Sequence, residues 1–204
     1  CIHSQSYEIS GRTFNEAGKK IGPSTIVVYD ANKKRVAELE TPSSGKFKFK
    51  DLPDGKYILN FYSSGGYGLT ENVTISGSDK KDVNPKLNPN PDQAQLKIKP
   101  TTDGASLKWR AVSGAANYII YRDNKEITTT NQTSYLDKVE PGKTYGYNVI
   151  VIKNDQSMGT RSITEYGKTL MLPPENIEAE AKKNNVKLTW FPVEDATGYN
   201  VYRD

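Results

Sequence analysis

The sequence predicts an all-β protein built of tandem small β-sandwiches, on three observations: alternation with a period of two, a composition thin in apolar residues, and an internal repeat. Hydrophobic residues make up 35% of 204. That is too few for one large core and enough for several thin ones, because a small sandwich buries alternate residues and leaves the others polar. Tyrosine outnumbers phenylalanine by 13 to 5, which suits half-buried strands whose side chains carry an apolar body and a wet tip. Residues 106–123 read SLKWRAVSGAANYIIYRD and 187–204 read KLTWFPVEDATGYNVYRD, so Trp109 aligns with Trp190 and Tyr118 with Tyr199 at a constant offset of 81 residues. A repeat of that period made of short strands means one sandwich per repeat.

Residues 1–5 read as a loose N-terminal tether, followed by a first module over 6–87. Within it, Ile26-Val27-Val28-Tyr29 and Arg35-Val36-Ala37-Glu38-Leu39 flank the turn-rich Asp30-Ala31-Asn32-Lys33-Lys34. In Lys46-Phe47-Lys48-Phe49-Lys50 the alternation is strict, so one face of that strand belongs to a core and the other to water. Gly55-Lys56-Tyr57-Ile58-Leu59-Asn60-Phe61 gives the next strand. Residues 88–91, Asn-Pro-Asn-Pro, form a linker, since each proline removes a ladder donor and holds the preceding residue extended. A second module occupies 92–170, and 171–204 begin a third. That last stretch holds only the first three strands of a module, which predicts that the native chain continues or that another molecule supplies the rest.

Several chemistries find no support in this sequence. The single histidine, His3, lies in the terminal stretch, away from the rigid scaffold that a catalytic triad needs. One histidine and one cysteine cannot build the usual zinc sites, so no metal and no cofactor is expected. The net charge of +4 is spread over turns such as Lys19-Lys20 and Lys80-Lys81, without the aromatic-lined basic stripe that nucleic-acid binding calls for. Asp30, Asp51 and Asp54 sit where aspartate is expected in turns for its own backbone bonds.

The 92–170 module resembles a fibronectin type III domain. The resemblance is carried by Leu107-Lys108-Trp109, Tyr118-Ile119-Ile120-Tyr121, Thr133-Ser134-Tyr135-Leu136 and Val139-Glu140-Pro141-Gly142-Lys143-Thr144-Tyr145-Gly146-Tyr147. It implies that Trp109 fills the core between the sheets, that Trp190 does so in the next copy, and that Tyr145 pins a corner with its hydroxyl. The 6–87 module resembles the carboxypeptidase-regulatory-like, prealbumin-type β-sandwich, through Ile9-Ser10-Gly11-Arg12-Thr13, Thr41-Pro42-Ser43-Ser44-Gly45-Lys46-Phe47 and Leu52-Pro53-Asp54-Gly55-Lys56-Tyr57. Both families are extracellular spacers and adaptors with no catalytic residues to carry over.

Two candidate sites remain. Cys1, followed by the polar Ser4-Gln5-Ser6, is the expected attachment point of a lipid, as at the first residue of a mature bacterial lipoprotein. Tyr62 and Tyr67 flank Ser63-Ser64-Gly65-Gly66, a loop that could stack on a glycan. The functional expectation is a non-catalytic lipoprotein of the bacterial cell envelope, outer membrane or cell surface, spacing or joining protein partners in an assembly. Two alternatives stay open: accessory modules of a larger secreted polysaccharide- or protein-degrading enzyme, and a carbohydrate-binding surface protein.

Overall fold

The computed structural model describes residues 5–63, 68–87, 93–194 and 196–203. The predicted lipid site Cys1, the loop tyrosine Tyr67 and the predicted linker 88–91 lie outside these. Every regular element among the described residues is a strand, and the chain is all-β as its alternation predicts.

The first sandwich comprises β1 (Tyr7–Arg12), β2 (Ser24–Tyr29), β3 (Arg35–Glu40), β4 (Lys46–Leu52), β5 (Gly55–Ser63), β6 (Gly68–Ile75) and β7 (Lys80–Val83). Three strands in the order β4-β1-β7 face four in the order β3-β2-β5-β6. Its core takes the alternate residues: Ile9 from β1, Ile26 and Val28 from β2, Phe47 and Phe49 from β4, and Leu59 and Phe61 from β5. Phe47 meets Phe61 edge-on across the sandwich, with ring centroids 5.5 Å apart. Lys46, Lys48 and Lys50, between the phenylalanines, are exposed. The β2–β3 turn is held by Asp30, whose Oδ1 accepts from the amides of Asn32 and Lys34 at 2.9 and 3.0 Å. This aspartate serves its own turn.

The second sandwich comprises β8 (Leu96–Thr101), β9 (Gly104–Trp109), β10 (Ala115–Arg122), β11 (Lys125–Thr130), β12 (Ser134–Asp137), β13 (Thr144–Lys153) and β14 (Glu165–Lys168). It too sets three strands, β12-β9-β8, against four, β11-β10-β13-β14. Leu107 and Trp109, two apart on β9, point into the core with Tyr118, Ile120, Tyr147, Val149 and Val151. The Trp109 ring packs edge-on against Tyr118 at 5.4 Å, and the Tyr118 hydroxyl accepts from the Val112 amide at 3.1 Å.

The corner tyrosine is a correction to the sequence reading. Tyr147, not Tyr145, is fully buried. Its hydroxyl donates to Asp137 Oδ2 at 2.8 Å, and Asp137 also takes two bonds from Arg122 Nη1 at 3.0 and 2.8 Å. Tyr145 packs half-buried beside Tyr147, with the Arg122 guanidinium 5.8 Å from its ring centre. The two residues, two apart on β13, share its core-facing side, and the deeper one is the one whose hydroxyl must find a buried partner.

The repeat reproduces its local structure in the third segment, where β15 (Glu178–Lys182) and β16 (Asn185–Thr189) form an antiparallel hairpin. Trp190 meets Tyr199 edge-on at 5.2 Å, and the Tyr199 hydroxyl accepts from the Val193 amide at 2.7 Å. Trp190, expected in a core, is only half-buried, and Leu188, Tyr199 and Val201 are exposed. The third expected strand, over 197–203, does not form. A strand is defined by its ladder, and no neighbouring strand bonds to this one among the described residues.

Candidate functional site

The polar cluster with the most buried chemistry lies at the seam between the two complete sandwiches. It begins with β2 and β5, which are apolar on both faces. Ile26 and Val28 of β2 enter the first core, while Val27 and Tyr29 project from the other side of the sheet and are equally buried. On β5, Leu59 and Phe61 point inward while Ile58, Asn60 and Tyr62 share the outer face with Val27 and Tyr29. Such a face must be covered, and the segment around Ile163 and Tyr166 of the second sandwich covers it.

That segment is fastened to β13 by side chains. Asn148 Nδ2 donates to the Ser162 carbonyl and to Thr164 Oγ1, both at 2.9 Å, and Ser162 Oγ accepts from the Val149 amide at 2.9 Å. Held in this way, the start of β14 presents Glu165 to the first sandwich. The hydroxyls of Tyr29 and Tyr62 both donate to its carboxylate, and Asn60 Nδ2 donates to Oε1 at 3.0 Å. Asn60 also reaches the Thr164 carbonyl at 2.8 Å, and its Oδ1 accepts from Thr70 Oγ1 at 2.7 Å. Gln93 ties the same seam from the other end, accepting from the Gly68 amide and donating to the Arg161 carbonyl, both at 3.0 Å. Tyr166 completes it, edge-on to Tyr29 at 5.4 Å with Lys33 Nζ 5.2 Å from its ring centre.

Glu165 is 6% exposed. Burial pushes its carboxyl above the ordinary carboxylate range, and the bonds from Tyr29, Tyr62 and Asn60, with the Arg35 guanidinium nearby, pull it only part of the way back. Burial and then the neighbouring Glu165 charge push both phenols far above the usual tyrosine range, so they stay protonated as donors. A cleft of 280 Å3 opens beside the cluster, with Arg35, Glu38, Lys97 and Gln95 at its rim. The acceptor oxygens of Glu165 are occupied by groups of the protein itself. The arrangement clamps two modules together.

Tyr62, expected in a ligand-binding loop, is thus a correction: it sits at 6% exposure within the seam. The sequence reading missed Glu165, Tyr29 and Asn60. A signal was present in the unbroken run Ile26-Val27-Val28-Tyr29, since a strand apolar at every position has both faces covered. Among the described residues no group of histidine, cysteine, aspartate and glutamate side chains could hold a metal.

No family model and no curated protein matches the chain. Among solved structures it is similar to the major pilin subunit BcpA of Bacillus cereus, at 11% identity and a TM-score of 0.38, over 79% of this chain and 69% of that one. A candidate carbohydrate-binding protein from Bacteroides uniformis is similar at 11% identity and a TM-score of 0.35, over 91% of this chain and 99% of that one. The central fibronectin-III array of RIM-binding protein is similar at 13% and 0.32, over 85% and 64%. Likenesses this distant carry no argument about activity or ligand.

Proposed function

We propose that the chain is a non-catalytic structural arm of a bacterial cell-envelope lipoprotein, in which two sandwiches are clamped into one stiff unit that spaces or joins protein partners at the surface. The observation that supports this is the buried Glu165 with its donors Tyr29, Tyr62 and Asn60 from the other module. Modules on a short linker are by default free to turn. A buried carboxylate that draws its hydrogen bonds from the neighbouring module is satisfied in a single relative pose, and in any other pose it is stranded. On this reading the first sandwich is of the prealbumin type, the second is a fibronectin type III-like spacer, and a lipid on Cys1 holds both at the membrane.

The anchor is tested by intact mass and by partitioning. Native material should carry acyl chains on Cys1 and enter the detergent phase, and Cys1→Ser should release the protein in soluble form. Each buried methylene contributes about 0.8 kcal/mol, so two or three chains hold firmly where one is marginal. An unmodified N-terminal cysteine in native material removes the lipoprotein assignment.

A further inference from the structure

The two sheets of the first sandwich have unlike outer faces. That of β3-β2-β5-β6 is apolar at its centre, where Val27, Tyr29, Ile58 and Tyr62 are packed against Ile163 and Tyr166 of the second module. On that of β4-β1-β7, alternation sets Lys46, Lys48 and Lys50 of β4 side by side, with Arg12 and Ser10 of β1 paired to Lys46 and Lys48. Lys81 of β7 lines the same shallow groove of 870 Å3 with Arg12, Lys46 and Lys48. Three acids share this side with the five cations: Glu8 bonds Lys48 at 3.1 Å, Asp79 lies 3.9 Å from Lys81, and Asp82 lines the groove, so the balance is positive and is carried by Arg12, Lys46 and Lys50. Charge that looks scattered along the sequence is gathered by the fold onto one side of one module.

We propose that this face docks on an anionic lipid surface. Its cations are mostly lysines, hydrated point charges on flexible stems that suit a field of headgroups better than one directional ligand. Of the two aromatics that line the groove, Phe47 belongs to the core and Phe14 alone is partly exposed, and one ring is no platform for successive bases. Each cation held near an anionic leaflet strengthens binding about fivefold. Docking by this face would put the seam, and with it the second module, on the far side of the first sandwich from the lipid, as a spacer requires. Six residues of extended chain from Cys1 span about 20 Å at most, so a lipid there would keep the first sandwich within reach of the bilayer. The docking proposal does not depend on that lipid, because the charge belongs to the folded module.

The test uses the 204-residue chain with Cys1→Ser, so that only the folded surface acts. It should co-sediment with phosphatidylcholine vesicles containing phosphatidylglycerol, release at high salt, and ignore pure phosphatidylcholine. Lys46→Glu with Lys50→Glu, both exposed, should weaken binding about 25-fold or more, two cations at about fivefold each. Lys125→Glu with Lys187→Glu, also exposed, makes the same change in net charge elsewhere and should leave binding unchanged. Equal losses in the two double variants, or equal binding to both vesicle types, overturns the proposal. So does retention on an acidic polysaccharide resin without vesicle binding, which would make the partner a glycan.

Discussion

Glu165→Ala leaves three buried donors, on Tyr29, Tyr62 and Asn60, without their acceptor. Urea unfolding should show a loss of about 2–4 kcal/mol, and Glu165→Gln, which keeps one acceptor oxygen, should lose less. The acid also sets a slope with pH. Its carboxyl is raised in the folded protein, so the native state holds this proton where the unfolded chain has released it. Stability therefore falls as pH climbs from the ordinary carboxylate range to the raised value, and is flat above it. The charged groups facing this carboxyl are Arg35, which opposes the shift, and Glu38 and Lys97 at the cleft. Asp155 and Glu140 are exposed and lowered, so they slope the other way. They cancel when wild type is compared with Glu165→Gln, and the difference between the two should carry the falling limb. A flat difference from acid to neutral pH would show that folding leaves the Glu165 carboxyl unshifted, and a rising one that the folded state favours its ionised form. Tyrosine pairs on β13 give a second contrast. Tyr147→Phe deprives Asp137 of a buried donor and should lose about 1–2 kcal/mol, while Tyr145→Phe should lose under about 0.5 kcal/mol.

At the scale of elements, alternation was legible wherever one face of a strand is wet. Lys46 to Lys50 alternate in burial as their types alternate, and Leu107 and Trp109 share the buried face of β9. It failed where both faces are covered. The sequence reading of β5 marks Tyr62 as the rim of a loop, because nothing local reveals a second module lying on that sheet. Tyr145, expected at the corner, and Tyr147 are separated by one residue and share a face, and depth within the sandwich decides which hydroxyl is enclosed. Nothing local marks Glu165, because its partners lie more than 100 residues away. One glycine ties the pattern to topology. β1 runs parallel to β7 with Gly11 opposite Val83, and a Cβ at Gly11 would lie 1.8 Å from the Val83 carbonyl oxygen. Gly11→Ala should therefore separate β1 from β7 and lower stability by about 2 kcal/mol or more. Hydrogen exchange should rise first in β7, and an unchanged melting temperature would mean that the strands move apart freely.

At the scale of the molecule, two cores are joined by a third cluster. The core around Phe61 and the core around Trp109 each close on themselves, and Val27, Tyr29, Tyr62, Ile163 and Tyr166 bridge them. If the seam couples the sandwiches strongly, neither can unfold without exposing this apolar face and stranding Glu165. Cooperativity then extends over both modules. Urea unfolding of the whole chain should accordingly show one transition for β1 to β14, with a denaturant slope suited to both modules rather than one. Glu165→Ala with Tyr62→Ala should split it into two. The β15–β16 hairpin provides an internal reference: its residues are exposed throughout, so its ladder amides should exchange far faster than those of β5 and β13. Two transitions in the wild type would show that the seam is contact without coupling. A single transition that survives the double variant would place the coupling elsewhere, and in either case the stiff-arm reading would lose its physical basis.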